Sequence, residues 1–561
     1  MNIRWLSFFS RLNIKQVKNL FIISVFLFNT TLFSQIKFDF ININRVLMWT
    51  YNSGSGSQHP YTGGNGFYWP YDSSAGIYTT SIFADGLHIG GIINGDTVVK
   101  ANMYKDIGFQ PGNILPNGEP ANPADSIFKI WKIRKNWKNL PPCLFRDRLE
   151  YDYNNWPIQI GAPWIDVNND GIYTQGVDSV KFYGDETLFF VYNDFDTTTY
   201  LPNWKRRSIG LEIKTIIYGY DSTNFLGDVV FKKYQIINKG NYTINDAIIS
   251  YWSDDDLGFA GDDYIGGDKN LCLGYTWNSS DSDYVYGNPA PSVGHFVLQS
   301  PIISGLPQDS ARFNDGWKKG YKNISISSFN PCFKNAQALT RDPWNSTEAY
   351  IILNGFMNKG NPYINPYINQ PTLFPLTGDP ESRIGWYEGD GWPAPAPSPF
   401  DRRLYINFGR FTIAPQDTQE FVVAIGMARG SSAKNSVTKL KQLAFNAHRF
   451  YGNDFITSVD NESLTDLPYK FQLFNNYPNP FNPTTVISWQ VPIHSHVTLK
   501  VYDILGREVA TLVDEVKEAG VYNSTFSIRQ LTEHSTFSTG VYFYELKAGD
   551  FRDVKKMLYI K

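Results

Sequence analysis

Short runs in which apolar and polar residues alternate recur along the chain, each closed by Gly, Pro, Asn or Asp. A period of two places successive side chains on opposite faces, the pattern of half-buried antiparallel strands. In the body it predicts strands at 76–83, 188–192, 210–218, 229–238, 246–252 and 421–425, all rich in aromatic and β-branched residues. These runs do not alternate with helical periods, so nothing argues for a parallel sheet. One segment has a different period. Between 435 and 451, Val437, Leu440, Leu443, Ala444, Ala447 and Tyr451 recur every three or four residues and predict an amphipathic helix. Ser432 or Asn435 would cap its start and Gly452 its end. The expected fold class is mainly β: antiparallel β-sandwich domains with one short helix.

At the start of the chain the pattern breaks. Residues 1–19 carry Arg4, Arg11, Lys15 and Lys18 with no acidic residue, and an apolar run follows from Leu20 to Phe28. A basic stretch, a short apolar core and a small residue near Ser34 or Gln35 predict a cleaved signal peptide over 1–35. A membrane anchor needs about 20 apolar residues, and this run is shorter and interrupted at Asn29. No later stretch is long and apolar enough to span a bilayer. The mature protein is therefore expected to be exported, with no transmembrane segment. Cys143, Cys272 and Cys332 would then meet an oxidising compartment, where one pair can bridge. None has C-x-x-C spacing, which argues against a zinc or redox site. At least two are expected to be buried small apolar side chains.

Composition narrows the classes further. The 561 residues are 42% hydrophobic and 16% aromatic but only 18% charged, which excludes wholesale disorder. Lys and Arg total 50 against 53 Asp and Glu, a net charge of −3, so no global basic field gathers nucleic acid. Residues 128–138 carry five basic side chains among aromatics. Without helical bias, that segment is expected to be a basic-faced strand and not a nucleic-acid surface.

The C-terminal texture is more specific. Three prolines in six residues at Tyr477-Pro478-Asn479-Pro480-Phe481-Asn482-Pro483 impose extended or turn geometry. Alternating runs follow at 485–491, 496–502 and 508–513, with a turn at Asp503 to Arg507 including Gly506, and strands starting at Gly520 and at Gly540-Val541-Tyr542. Basic Lys555-Lys556 lies near the end. About seven short strands at this spacing suggest a small β-sandwich. In order and position these motifs resemble the type A C-terminal sorting domain of the type IX secretion system, over residues 471–561. The resemblance implies an Ig-like sandwich that partners the type IX secretion machinery and routes its cargo to the outer surface or medium. It also implies removal of the domain or its exchange for a surface anchor. The remaining organisation is a β-rich cargo at 36–452, with room for two subdomains, and a polar linker at 453–470. The body resembles only uncharacterised exported proteins that carry the same domain, through a Trp-Ser-Asp-Asp-Asp-Leu-Gly style segment.

Two acidic stretches offer chemistry. Asp166, Asn168 and Asp170 precede Gly171 and Ile172 at positions one, three, five, six and seven of a calcium-type loop. Position twelve is Val177, with Asp178 one place late, so the loop departs from an EF-hand. A looser Ca2+ loop and a hydrated Asx-rich hairpin turn are both open. The second stretch places Asp254, Asp255, Asp256, Asp262, Asp263 and Asp268 within fifteen residues. Such carboxylates repel unless cations, basic side chains or protons neutralise them. Calcium or another structural cation, a solvated acidic loop, and paired glycosidase carboxylates are the three readings.

Other catalytic signatures are absent: no H-E-x-x-H, G-x-S-x-G, Walker or dinucleotide motif occurs. His494, His496 and His534 fall in the sorting segment, leaving His59, His88, His295 and His448 for any triad or zinc site, and His448 sits at packing spacing. Trp69, Tyr71, Trp164, Trp386 and Trp392 stand beside Gly, Pro or Asp, where rings can face sugars or simply fill cores. The expected function is that of a type IX-exported, calcium-stabilised structural or binding protein. The alternative is a secreted polysaccharide-acting hydrolase using Asp and Glu.

Overall fold

Strand Val229–Asn238 shows how the alternation is used. Its adjacent lysines point to opposite faces. Lys232 enters the core and meets Asp85, while Lys233 faces outward to Asp315 and Glu420. The computed structural model describes residues 37–560 except 73–76, 104–105, 197–203, 205–206, 335–339, 394–395, 453–470, 492–494, 518–519, 529–537 and 550. The expected signal peptide and linker lie outside the described residues. Among the described residues 48% are strand and 12% helical, which makes the protein mainly β. No described helix is long and apolar enough to cross a membrane. The chain divides into two compact units, Met1–Leu440 and Lys441–Lys561.

In the first unit a nine-stranded antiparallel sheet faces a six-stranded one. The larger sheet runs through Leu273–Asn278, Ser292–Gln299, Thr418–Ala428, Val229–Asn238, Leu211–Gly219 and Glu186–Asn193. The smaller is built on Ser328–Phe333, Arg402–Ile413, Ile244–Asp255, Ala84–Ile93 and Asp96–Asn102. Leu188, Phe190, Ile213, Val423 and Ile425 of the first sheet pack against Leu87, Ile89, Ile249, Ile406 and Phe408 of the second, giving one continuous core. A second cluster covers the far face of the six-stranded sheet. There Ala349, Tyr350, Ile352 and Leu353 of helix Ser346–Leu353 lie on Val99, Ile248 and Trp252.

The core between the sheets is not wholly apolar. Asp85 Oδ2 accepts a 2.6 Å hydrogen bond from Lys232 Nζ and a second from Tyr251 Oη, with all three side chains buried. Gly56 leaves the space for this pair, since a Cβ there would collide with both Asp85 Oδ1 and Lys232 Nζ. Burial alone would raise the Asp85 carboxyl, but the Lys232 ammonium outweighs it and holds the group ionised below its usual range.

The basic segment near 130 also turns inward. Its strand is Trp131–Arg134, but Lys132 Nζ lies 3.5 Å from Glu186 and 3.8 Å from Asp39, and Arg134 Nε donates to Glu186 at 2.8 Å. Lys129 pairs with Asp152 and Arg148 with Asp39. The expected basic outer face is thus an internal ion-pair network. It anchors helix Leu144–Asn154, whose buried positions are Arg148, Leu149 and Asp152. A search for apolar periodicity passes over a helix whose inward face is charged, so sequence patterning predicted only the last of the three α-helices among the described residues. That helix spans Ala433–Gly452, and Ser432 Oγ accepts the Asn435 N–H at 3.0 Å as its cap.

In the second unit, a three-stranded sheet (Gln472–Leu473, Thr484–Val491, Gly520–Ser527) accompanies a four-stranded one (Glu508–Lys517, Ser495–Tyr502, Gly540–Ala548, Phe551–Tyr559). Trp489, Ile487 and Phe526 of the first pack with Leu499, Val501, Tyr544 and Met557 of the second.

Removing one partner of a buried ion pair strands the other charge, at a cost of about 3–5 kcal/mol. Lys232→Met is expected to lower the unfolding free energy of the first unit, read from its urea transition, by that order, while Asp85→Leu with Lys232→Met recovers most of the loss. Equal losses in the single and double variants would rule out the stranded carboxylate as the cause.

Candidate functional site

The acidic stretch after Ser253 is split by the strand it ends. Asp255 points into the core, where Oδ1 is 2.9 Å from His295 Nε2 and Oδ2 accepts from Thr276 Oγ1 at 2.8 Å. Asp254 and Asp256 point the other way, as a period of two requires. Asp254 stands directly across from Arg403 in the register, and Arg403 across from Cys332. The Arg403 guanidinium reaches Asp254 at 3.0 Å, Asp401 at 2.7 Å and Asp342 at 3.4 Å, and Lys334 pairs with Asp401 at 2.5 Å.

Asp254, Asp256 and Asp401 each bring a carboxylate oxygen within 4.8 Å of the others, the one such metal-capable group among the described residues. Four carboxylates (Asp254, Asp256, Asp342, Asp401) face two cations (Arg403, Lys334), an excess of two negative charges when all are ionised. Asp254 Oδ1 is buried without a hydrogen bond, and no donor reaches the Asp256 carboxylate among the described residues. Burial first, and then the neighbouring carboxylates, push the Asp254 carboxyl well up despite Arg403. Burial and the Asp401 charge raise Asp256 to about 6. Sequence reasoning found Asp254 and Asp256 but missed Asp401, which lies on a different strand connection and beside no other acid.

The other acids of that stretch go elsewhere. Asp262 accepts from Asn278 Nδ2 at 2.9 Å and is raised by burial and by Asp283. Asp263 is buried, accepts the Leu257 N–H at 3.1 Å, and is pushed well up by burial. Asp268 accepts the Asn270 and Leu271 N–H groups in a turn.

The Asp166 loop joins the short strands Trp164–Ile165 and Ser179–Val180. Asp166 accepts the N–H groups of Asp170 and Gly171 at 3.2 and 2.8 Å, and Asp170 that of Ile172 at 2.7 Å. Asn168 Nδ2 donates to Asp170 at 2.8 Å. Asp178 closes the loop by accepting from Val167 at 2.9 Å and Thr174 at 2.6 Å. Asx turns therefore hold the loop with its own backbone, and Gly171 takes the left-handed φ of 75° that the sharp bend needs.

His88 lies against Trp252 and Tyr405, and burial lowers it to about 3, so it stays neutral. Cys143, Cys272 and Cys332 are all free, and only Cys332 is buried, so the pairing that an oxidising compartment would allow is not made and fewer thiols are buried than expected. Trp69 and Trp386 are buried, the former donating to Asp228 at 2.8 Å, and Trp386 packs edge-on against Trp392. Of the five aromatics singled out, Trp164 lines a cavity.

In the second unit the Pro-rich motif lies along the final strand. The Phe481 N–H donates to Leu558 O at 2.9 Å, the Ile560 N–H to Phe481 O at 3.1 Å, and the Leu558 N–H to Asn479 Oδ1 at 2.9 Å. The Phe481 ring packs on Phe526 and Tyr559, whereas Tyr477 is 82% exposed. Tyr544 Oη receives the Asn476 N–H and donates to Phe474 O, both at 2.9 Å. Gly506, at φ 78°, turns the chain so that Arg507 can pair with Asp503 at 2.7 Å. Gly540 and Tyr542 stand on the strand paired with the final one; Tyr542 is buried, Lys555 half-buried and Lys556 exposed.

Residues 475–561 match the family model described as a secretion system C-terminal sorting domain. That segment is a type IX sorting domain, and the chain is cargo of the type IX secretion machinery, destined for the outer surface or the medium. No curated protein matches the chain. Among solved structures, a polysaccharide lyase is similar at 8% identity with a TM-score of 0.20 over 66% of this chain. The chain covers 39% of that lyase, and a likeness so loose says nothing about activity.

The raised carboxyls have a consequence for stability. In the unfolded chain they titrate near the ordinary value of about 3.9, but Asp256 titrates near 6 when folded. Between those values the folded state binds more protons, so without added cation stability falls as pH rises from about 4 to about 6. The urea midpoint is expected to be higher at pH 5 than at pH 7, and Asp256→Asn to flatten the difference.

Proposed function

We propose that the chain is delivered through the type IX route as a calcium-stabilised binding protein that works outside the cell. The sorting-domain match at residues 475–561 carries the export half of this reading. The convergence of Asp254, Asp256 and Asp401 supports the cation half, because hard divalent cations bind clustered carboxylate oxygens. A Ca2+ ion there would neutralise the two charges that Arg403 and Lys334 leave over, and would supply the partner that Asp254 Oδ1 lacks. The Asp166, Asn168, Asp170, Ile172 and Asp178 loop is a second, weaker candidate. Its carboxylates already accept backbone N–H groups, which a cation would displace in part.

The rival reading is a polysaccharide-acting hydrolase. The raised Asp256 carboxyl favours it, since general acids need such values. Against it, these oxygens converge more closely than the about 5–9.5 Å separation of glycosidase carboxyl pairs, and Asp254 is buried.

Calcium at 100 times its Kd stabilises the state that binds it by about 2.7 kcal/mol. The melting temperature is expected to rise with Ca2+ over EDTA, more at pH 7 than at pH 5 because protons compete for the same oxygens. Asp401→Asn should abolish most of the rise. No shift in the unmodified protein would refute the cation reading. For export, deletion of residues 471–561 is expected to leave the cargo in the periplasm of a type IX-secreting host; its arrival at the surface regardless would refute the route.

A further inference from the structure

The outer face of the nine-stranded sheet carries a cavity of about 250 Å3. Its floor is two cross-strand rows, Phe189, Ile216 and Lys233 in one, and Lys214, Gln235 and Glu420 in the next. Its walls come from Gly161 to Trp164, from Lys181 and Tyr183, and from Asn314 and Asp315.

Nearly every charge in this cavity has a partner. Asp315 takes Lys181 at 2.6 Å, Lys233 at 2.5 Å and the Tyr183 hydroxyl at 2.5 Å. Glu420 takes Lys233 at 3.0 Å, Gln299 Nε2 at 3.0 Å and the Asn314 N–H at 2.8 Å. Lys214 is the exception. It is half-buried, its ammonium has no hydrogen-bond or ion-pair partner among the described residues, and burial lowers its affinity for the proton.

Three lysines against two acids leave one positive charge, and that charge is Lys214. Its position is built: Gly161, at φ 90°, closes the turn Ile158–Ile160, and a Cβ there would collide with Lys214 Nζ. Directly across the register, the Gln235 amide has no hydrogen bond among the described residues, and neither does the Asn314 side chain. Trp164, half-buried at the wall, adds an aromatic ring.

We infer that this cavity binds an acidic sugar, its carboxylate on Lys214, its ring against Trp164 and its hydroxyls on Gln235 and Asn314. A single anionic group fits the charge count. Asp315 and Glu420 would repel a second anion, and amide groups with an aromatic face suit a polyhydroxylated ring better than an inorganic ion. The source is either a free uronic acid or a uronic acid unit of a polysaccharide. This names a ligand for the binding-protein reading and rests on that reading. The cavity is on the opposite sheet from Asp254, however, so failure here leaves the calcium and export results untouched.

The test is calorimetric titration of the full exported chain with D-galacturonate, tri-galacturonate, D-galactose and acetate. Galacturonate is expected to bind at least about tenfold more tightly than galactose or acetate, since a charged hydrogen bond is lost in one and the ring contacts in the other. Tighter binding of the trimer than of the monomer assigns the site to polysaccharide, and equal binding to the free acid. Lys214→Met should weaken galacturonate at least about tenfold, with galactose unchanged. Gln235→Ala, on the exposed face, is the second variant and should weaken both sugars while far-UV circular dichroism stays the same. Equal binding of galactose or acetate, unaltered binding by Lys214→Met, or no binding of either uronate overturns the inference.

Discussion

A charge removed from water needs an opposite charge, a proton or a cation, because its desolvation costs more than most other contacts return. The two facing sheets of the first unit are organised around that constraint. Lys232 enters the core and finds Asp85. Lys100 and Asp194, both fully buried, lie 3.7 Å apart, and Asp194 also accepts the N–H groups of Ile209, Gly210 and Leu211. The Asp39, Lys129, Lys132, Arg148, Asp152 and Glu186 network pins a helix and the first strand to the large sheet. With these pairs closed, the rest of the interior is free to be aromatic and aliphatic.

The same constraint separates structural charges from functional ones. Where every partner is present, a buried charge explains the fold and nothing more. Two places break the balance. On the outer face of the six-stranded sheet, negative charge is left over at Asp254 and Asp256. On the outer face of the nine-stranded sheet, positive charge is left over at Lys214. Both imbalances lie on the sides of the two sheets turned away from the shared core.

The strands were legible because a period of two survives in a single sequence. The run at 229–238 coincides with the strand Val229–Asn238, and that at 421–425 lies inside Thr418–Ala428. The partners were not legible. Adjacent Lys232 and Lys233 look alike in sequence but serve opposite faces, and Asp254, Asp255 and Asp256 read as one acidic stretch although Asp255 belongs to the core. Asp401 and Asp315 are single acids in unremarkable surroundings; Asp401 reaches Arg403 from two residues away, and Asp315 reaches Lys233 from the turn of a hairpin distant in sequence. Helix Leu144–Asn154 escaped notice for a related reason, since its inward face is ionic. The sorting unit was the opposite case. Its prolines, Gly506 and terminal strand contact one another within one short segment, so the motif and the contacts that explain it are nearly the same residues.

Because the unbalanced charges sit on separate sheets with a shared apolar core between them, changes at one are expected to add independently to changes at the other. That separation bears on the choice between an enzyme and a binding protein. Catalysis by carboxylates needs the acid group, the substrate contacts and the aromatic face in one cleft. Here the raised carboxyls are packed beside Arg403 on one sheet, while the cavity with its aromatic ring and unpaired lysine is on the other, and its own two acids are each ion-paired with lysine. The cation proposed for one face and the anion proposed for the other would therefore act at separate sites, which is why the binding-protein reading is the one proposed.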